Sequence, residues 1–427
     1  MRAAPWLMLA IAIAGCGGQP PSVAAPPTSS DGDRAPAAPP SPPKRTLRVG
    51  LYPYVPDAAY NFELARRAFE EARPGATIEA VPLGNYYKSK EADSAMKAHA
   101  DVIELDSVFM VDAIKTGRIR ALPPAVAPSA AEYAPVAVAV ARPEGAWFGV
   151  PRWLCGNFLY TTRDRVASFA TLGAMEKAIV PAHPRGQGLL FDGKGGSTLG
   201  EMYFDAAFDA NGGALAPALA MIDAATLDTA AGSDGAVKNL RRLLHLCDAG
   251  DCRSDDIHAN HPDEYAKRFA RKEGVAFIGY SEATHAILGQ IDDCKRKGNA
   301  CLAPSDIAVT ALTIADGPSK PFAWVDSLAI TTECESRYPE CVDDAAAFIK
   351  AVTTDEHLLR LLLPHDGKPP FYLMPAKQTI NDKLDAAAPM YPMFRGLIAG
   401  ASPIVGEKLG DKLRTVGGKL DAWLNVP

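Results

Sequence analysis

Long apolar runs are the first thing this sequence is short of. The stretch from Trp6 to Ile13 near its start is too short to cross a bilayer comfortably. Excess positive charge is missing too. Against 44 Lys and Arg stand 50 Asp and Glu, a net charge of -6, which gives nucleic-acid binding no support. None of the eight histidines lies in a motif tying it to a cysteine, so a papain-like hydrolase lacks its base. His258 and His261 are three residues apart with no third ligand at metal-site spacing, which favours a surface role over a zinc site. The glycine-rich stretch Asp192-Gly-Lys-Gly-Gly-Ser-Thr198 lacks the spaced Gly-Lys-Ser/Thr of a phosphate loop. It reads as a turn whose Ser197 or Thr198 caps a helix over Leu199–Ala210.

What is present fits a soluble globular protein of two or three domains: 427 residues, 48% hydrophobic and 22% charged. Residues 1–16 read as an export signal, with Arg2, the apolar run, and Ala14-Gly15 before Cys16 in the manner of a bacterial lipobox. Residues 17–45 are rich in Pro, Ala, Ser and Gly and cannot bury a core, so they are expected to form a disordered tether. The expected location is therefore outside the cytoplasm, either lipid-anchored to a bacterial membrane through Cys16 or secreted.

Of eight cysteines, six fall into close pairs, Cys247 with Cys252, Cys294 with Cys301 and Cys334 with Cys341, which suit local disulfides in an exported chain. With Cys16 in the signal, Cys155 is the one thiol without an evident structural task. It lies in Val150-Pro-Arg-Trp-Leu-Cys-Gly-Asn-Phe-Leu-Tyr160, where Gly156 lets a ligand come close to the sulfur. A buried cysteine can equally be a small hydrophobe. A nucleophilic one needs a base.

The pattern of the body is α/β. Leu47, Val49 and Leu51 alternate as a strand, Phe62, Ala65, Phe69 and Ala72 recur at helical spacing, and Ala76–Val81 is a second strand, so a parallel unit is expected. Tyr52 and Tyr54 lie just past the first strand, where open sheets place ligands. Asp106 ends the strand Asp101-Val-Ile-Glu-Leu-Asp106, either as the N-cap of the next helix, Val108–Thr116, or as a site residue. A helix is expected over 234–247. The short strand Gly274-Val-Ala-Phe-Ile-Gly279 delivers Tyr280-Ser281-Glu282, whose acid is either a cap or a partly desolvated base. Trp324 and Asp326, two apart on a strand, share a face. Three strand ends thus carry an acid with an aromatic, a combination suited to a flat cationic ring and also found in sugar sites.

The motifs Asp101–Asp106, Pro151–Tyr160, Gly279-Tyr-Ser-Glu282 and Trp324-Val-Asp326 resemble those of bacterial thiaminase I, thiamine pyridinylase, in order and spacing over about residues 46–427. The resemblance implies the two-lobed α/β fold of type II periplasmic-binding proteins, with the active site in the cleft between lobes. One lobe would hold 46–149 and 325–360 and the other 150–324 and 361–427, with Pro151 and the Trp324–Ile330 strand near the crossovers. It implies Cys155 as the nucleophile that adds to the pyrimidine carbon next to the one bearing the bridging methylene. Glu282 would be the base that takes the thiol proton and later activates the incoming nucleophile. Asp106 and Asp326 would bind the pyrimidine and Tyr280 would line the pocket. Tyr52, Tyr54, Tyr86, Tyr87 and Tyr265 lie in regions where the family has pocket tyrosines. Trp324 stands where the family pattern has tyrosine, so ligand orientation or cosubstrate choice is expected to differ. The implied partners are thiamine and an amine, a pyridine-type base or a thiol, acting on a monomer by ping-pong kinetics with no metal or organic cofactor. A lipid-anchored binding protein serving an importer of thiamine-like or sugar ligands is the competing expectation.

Overall fold

Strand β1 (Arg45–Gly50) runs parallel to β2 (Ala76–Ala80), and the helix Ala58–Ala72 crosses between them. Asp57 caps that helix by accepting from the Tyr60 N–H, and Asn61, Leu64, Ala65 and Phe69 form its buried stripe. Strand β3 (Val102–Asp106) lies parallel to the other edge of β1, which is the expected α/β unit. This computed structural model describes residues 45–179, 188–227, 235–247, 252–317 and 320–423. The export signal, Cys16 and residues 17–44 of the tether lie outside the described residues.

From β3 outward the first sheet turns antiparallel. β4 (Val150–Cys155) and β3 flank β9 (Phe322–Ile330), and the path is closed by the short β10 (Met374–Pro375) on β4, while β11 (Ser402–Pro403) pairs with the start of β9. The second sheet has the order β6 (Leu189–Leu190), β7 (Ala276–Gly279), β5 (Phe158–Thr162), β8 (Ile307–Ala311). Gly156 and Asn157 alone separate β4 from β5, so the chain passes from one sheet to the other right after Cys155.

Three of the local expectations need correction. The helix after the glycine-rich turn starts earlier and spans Gly196–Ala210; Gly195, at φ +82°, occupies its N-cap, and neither Ser197 nor Thr198 caps it. The reason is tertiary. This helix packs on the helix Leu409–Trp423, and a side chain on Gly200 or Gly417 would run into the backbone of Leu413 or Gly196. Close approach of the two helices selects glycine there. The helix of 234–247 spans Gly235–Leu246. Trp324 and Asp326 stand in the middle of the nine-residue β9 and not at a strand end, because β9 is shared by β3 and β4.

Disulfides join Cys247 to Cys252, Cys294 to Cys301 and Cys334 to Cys341, and Cys155 is free. His258 is spent on Asp192, its Nδ1 lying 2.7 Å from the carboxylate. Among the described residues no helix is long and apolar enough to cross a membrane.

Candidate active site

Antiparallel pairing of β3 with β9 sets Asp106 directly opposite Asp326, and opposed residues in such a ladder project from the same face. Asp106 divides its two oxygens. Oδ1 accepts from the Val108 N–H and the Ser107 hydroxyl, capping the helix Ser107–Lys115, while Oδ2 accepts from the Tyr87 hydroxyl at 3.0 Å. It is thus both the cap and a residue of the cleft. Burial pushes both carboxyls above the usual range, and Asp326 the more strongly, because the Asp106 charge faces it and Asp106 is eased by its donors. Asp326 is thus the member of the pair with the higher proton affinity.

β4 brings in the sulfur. Cys155 stands opposite Trp324, so Cys155, Trp324, Asp326 and Asp106 share one face, and the thiol donates to Asp326 Oδ2 at 3.4 Å. A bulge between Pro151 and Trp153 inserts Arg152 as an extra residue. Its guanidinium reaches Glu104 at 3.3 Å and Asn61 at 2.8 Å, and Glu104 also accepts from the Tyr52 N–H at 2.9 Å. Among the described residues Arg152 is the only fully buried Lys or Arg, and Glu104 and Asn61 consume it. Among the described residues no other buried Lys or Arg is left to favour a thiolate. Burial, followed by the charges of Asp326, Glu282 and Asp106, holds the Cys155 thiol well above its ordinary pKa.

The corner after β7 supplies the opposite wall. The Tyr160 hydroxyl, within 2.7 Å of the Tyr280 carbonyl, 3.2 Å of the Ser281 carbonyl and 3.1 Å of the Thr284 hydroxyl, fixes the turn that presents Glu282. Glu282 sits at the N-cap of the helix Ala283–Lys297, yet its side chain makes no capping bond; its Oε2 accepts from the Ser281 hydroxyl at 3.4 Å. Burial raises it to about 7. The Tyr280 hydroxyl donates to Glu201, on the helix Gly196–Ala210, and burial raises Glu201 to about 8. One turn on, Asp205 accepts from Asn157, two residues beyond the cysteine, at 2.7 Å.

Aromatics complete the enclosure. The Tyr52 and Tyr87 hydroxyls are 3.2 Å apart, Tyr86 Oη accepts from the Asp106 N–H at 2.7 Å, and the rings of Tyr52, Tyr54, Tyr86 and Tyr87 touch one another. Tyr54 is 49% exposed and forms the solvent edge. Trp324 packs on Phe204 and Phe322, and its indole N–H has no partner among the described residues. Tyr265 is buried on the helix Glu264–Ala270, which packs against the helix that follows Glu282. The arrangement therefore joins Cys155, Asp106, Asp326, Tyr52, Tyr54, Tyr86 and Tyr87 with Tyr280 and Glu282. Sequence reasoning missed Glu201 and Asp205. Their spacing of four on a helical pattern was the available signal.

An acid-lined, aromatic cleft whose sulfur has no buried cation beside it among the described residues suits a ligand that brings its own positive charge. Residues 166–299, which include Glu201, Tyr280 and Glu282, match the thiaminase-1 domain. The chain is 26% identical over 384 residues to thiaminase-1 of Paenibacillus thiaminolyticus, covering 87% of this chain and 85% of that protein. Clostridium botulinum thiaminase I in complex with thiamin superposes with a TM-score of 0.72 at 18% identity, covering 89% of this chain and 100% of the other. The acarbose-binding GacH receptor of Streptomyces glaucescens, with a TM-score of 0.61 and 12% identity over 89% of this chain and 97% of its own, shares the fold. Thiaminase I is accordingly the family this chain resembles, on a two-lobed α/β fold of the periplasmic-binding-protein type.

Proposed function

We propose that this protein is a thiamine-cleaving transferase that exchanges the thiazole of thiamine for another nucleophile through a covalent pyrimidine adduct on Cys155. The observation that carries this reading is the free thiol held against Asp326, beside Asp106 and within the field of Glu282, in a cleft without a spare cation. The thiol is protonated in the empty site, and the thiazolium of bound thiamine supplies the charge that makes its ionisation favourable. Glu282, poised near 7, takes the proton. The thiolate adds to the pyrimidine carbon beside the one bearing the methylene, and the displaced electron pair moves onto the ring nitrogens. Asp326 and Asp106, both raised by burial, hydrogen-bond the ring nitrogen and the exocyclic amine and stabilise that charge. The pair then returns through the ring to form an exocyclic C=CH2 bond as the C–N bond to the thiazolium breaks toward nitrogen, and thiazole leaves neutral. An amine, a pyridine-type base or a thiol then bonds to the methylene carbon, and the sulfur departs with the C–S electrons. Two half-reactions through one covalent intermediate imply ping-pong kinetics.

Incubation with thiamine and no added nucleophile is expected to release free thiazole in a burst and leave the pyrimidine mass on the peptide containing Cys155. The likeness to the GacH receptor supports a carrier as the second reading. Tight thiamine binding with no adduct and no thiazole would select that carrier and sink the transferase.

We further propose that the protein works outside the cytoplasm, anchored by a lipid on Cys16. The three disulfides support an oxidising compartment. Labelled palmitate is expected to enter the wild-type protein and to be absent from Cys16→Ser, which leaves the membrane fraction; equal labelling of both removes the anchor.

A further inference from the structure

Glu201, part-buried, and Asp205, buried, are acids of the cleft without a part in the first half-reaction. Both lie on one face of the helix Gly196–Ala210, a single turn apart. Asp205 is 3% exposed; its Oδ2 is taken by Asn157 at 2.7 Å, and its Oδ1 has no partner among the described residues. The acids that bear on the sulfur are Asp326, Glu282 and Asp106. Glu201 is linked to it through Tyr280, which donates to Glu201 and feels the Cys155 charge as well. Glu201 also bears on Tyr54, the half-exposed ring at the solvent edge. Glu201 thus lies beside the part of the site that is open to solvent, whereas Glu282 bears on the sulfur.

We propose that Glu201, held by Tyr280 and seconded by the open oxygen of Asp205, takes the proton from the incoming nucleophile, so that the cleft divides proton handling between two carboxylates. Glu282 serves the Cys155 thiol, and Glu201 serves an N–H- or S–H-bearing cosubstrate. The proposal rests on the transferase reading. In the second half-reaction the nucleophile's lone pair forms the bond to the methylene carbon and the C–S bond breaks toward sulfur. The thiolate recovers its proton from Glu282, and the proton left on the new ammonium passes to the Glu201 carboxylate. Burial gives Glu201 a proton affinity near 8, far closer to neutrality than an exposed carboxylate, as a base working near that pH requires. Asp205 Oδ1 has no partner among the described residues; burial raises Asp205 well above the usual carboxylate range, so Oδ1 accepts a second N–H of an amine in the ionised form.

Aniline and pyridine test this as a matched pair, since both are neutral aromatic nitrogen nucleophiles between about pH 6 and 9 and only aniline has a proton to lose. In Glu201→Gln, transfer to aniline is expected to fall ~100-fold while transfer to pyridine stays within ~3-fold, with the thiazole burst unchanged. Glu201→Asp is expected to restore part of the aniline rate. In the wild type, which needs no folded variant, the ratio of aniline to pyridine rates is expected to rise with pH through about 8. Equal losses with both nucleophiles, a slowed burst in Glu201→Gln, or a wild-type ratio flat with pH overturns the inference and leaves the transferase standing. Failure of the wild type to release thiazole with either nucleophile overturns both.

Discussion

Cys155→Ser is expected to lose on the order of 10³-fold or more in kcat/KM for thiamine, with no pyrimidine adduct and an unchanged circular dichroism spectrum. Oxygen for sulfur is a small change in volume, so the strand β4 and its neighbours need not move. The chemistry suffers from both sides. A serine hydroxyl is far harder to ionise than a thiol, and the cleft resists new negative charge because Asp106, Asp326 and Glu282 are already there. The same field sets the reactivity of the native thiol. Iodoacetamide should label Cys155 slowly at neutral pH, with a rate that climbs above pH ~9 and shows no low-pH thiolate plateau. A serine variant that retained a tenth of wild-type activity would remove Cys155 from the mechanism.

The second large effect is expected at Glu282. Glu282→Gln should lower turnover by ~10²–10³-fold, in the range of general-base contributions. The sign of the pH dependence follows from burial. With its pKa raised to about 7, Glu282 is protonated and unable to accept below that pH, so wild-type kcat/KM should rise as pH increases through about 7. Glu282→Gln should lose that limb, and Glu282→Asp should keep it at a reduced rate. The sulfur touches Asp326 in the resting structure, which names the competitor. If the limb near pH 7 survives in Glu282→Gln and vanishes in Asp326→Asn, Asp326 is the base. Its burial and the facing Asp106 argue for the reverse, since both raise its proton affinity well above the usual range and disfavour the ionised form a base needs.

Much of this site could be read in one dimension because its residues sit where chain geometry advertises them. Asp106 closes an apolar strand, Glu282 follows another across a tight corner, and Trp324 with Asp326 shows a period of two. The sequence left cap and site as alternatives at Asp106 and Glu282. The structure uses Asp106 for both and leaves the Glu282 carboxylate out of capping, a distinction that depends on where single oxygen atoms point. Long-range register was not legible. That Asp326 opposes Asp106, and so becomes the carboxylate in contact with sulfur, depends on pairing between strands far apart in sequence. The start of the helix at Gly196 was missed for a related reason, since the preference of Ser197 and Thr198 for caps yields to contact with a second helix. Arg152 lay inside the motif that was singled out, yet its pairing with Glu104 needs a bulge that no periodicity reveals.

The glycine contact between the helices Gly196–Ala210 and Leu409–Trp423 has a temporal side. A polypeptide leaving the ribosome already contains Cys155, Glu282 and Asp326 when residues 409–423 have yet to be made. The edge of the cleft formed by Glu201 and Asp205 gains its backing only after that late segment has been translated and has docked. A chain ending before residue 409 would keep its sulfur while the wall that carries Glu201 and Asp205 lacks the helix it packs on.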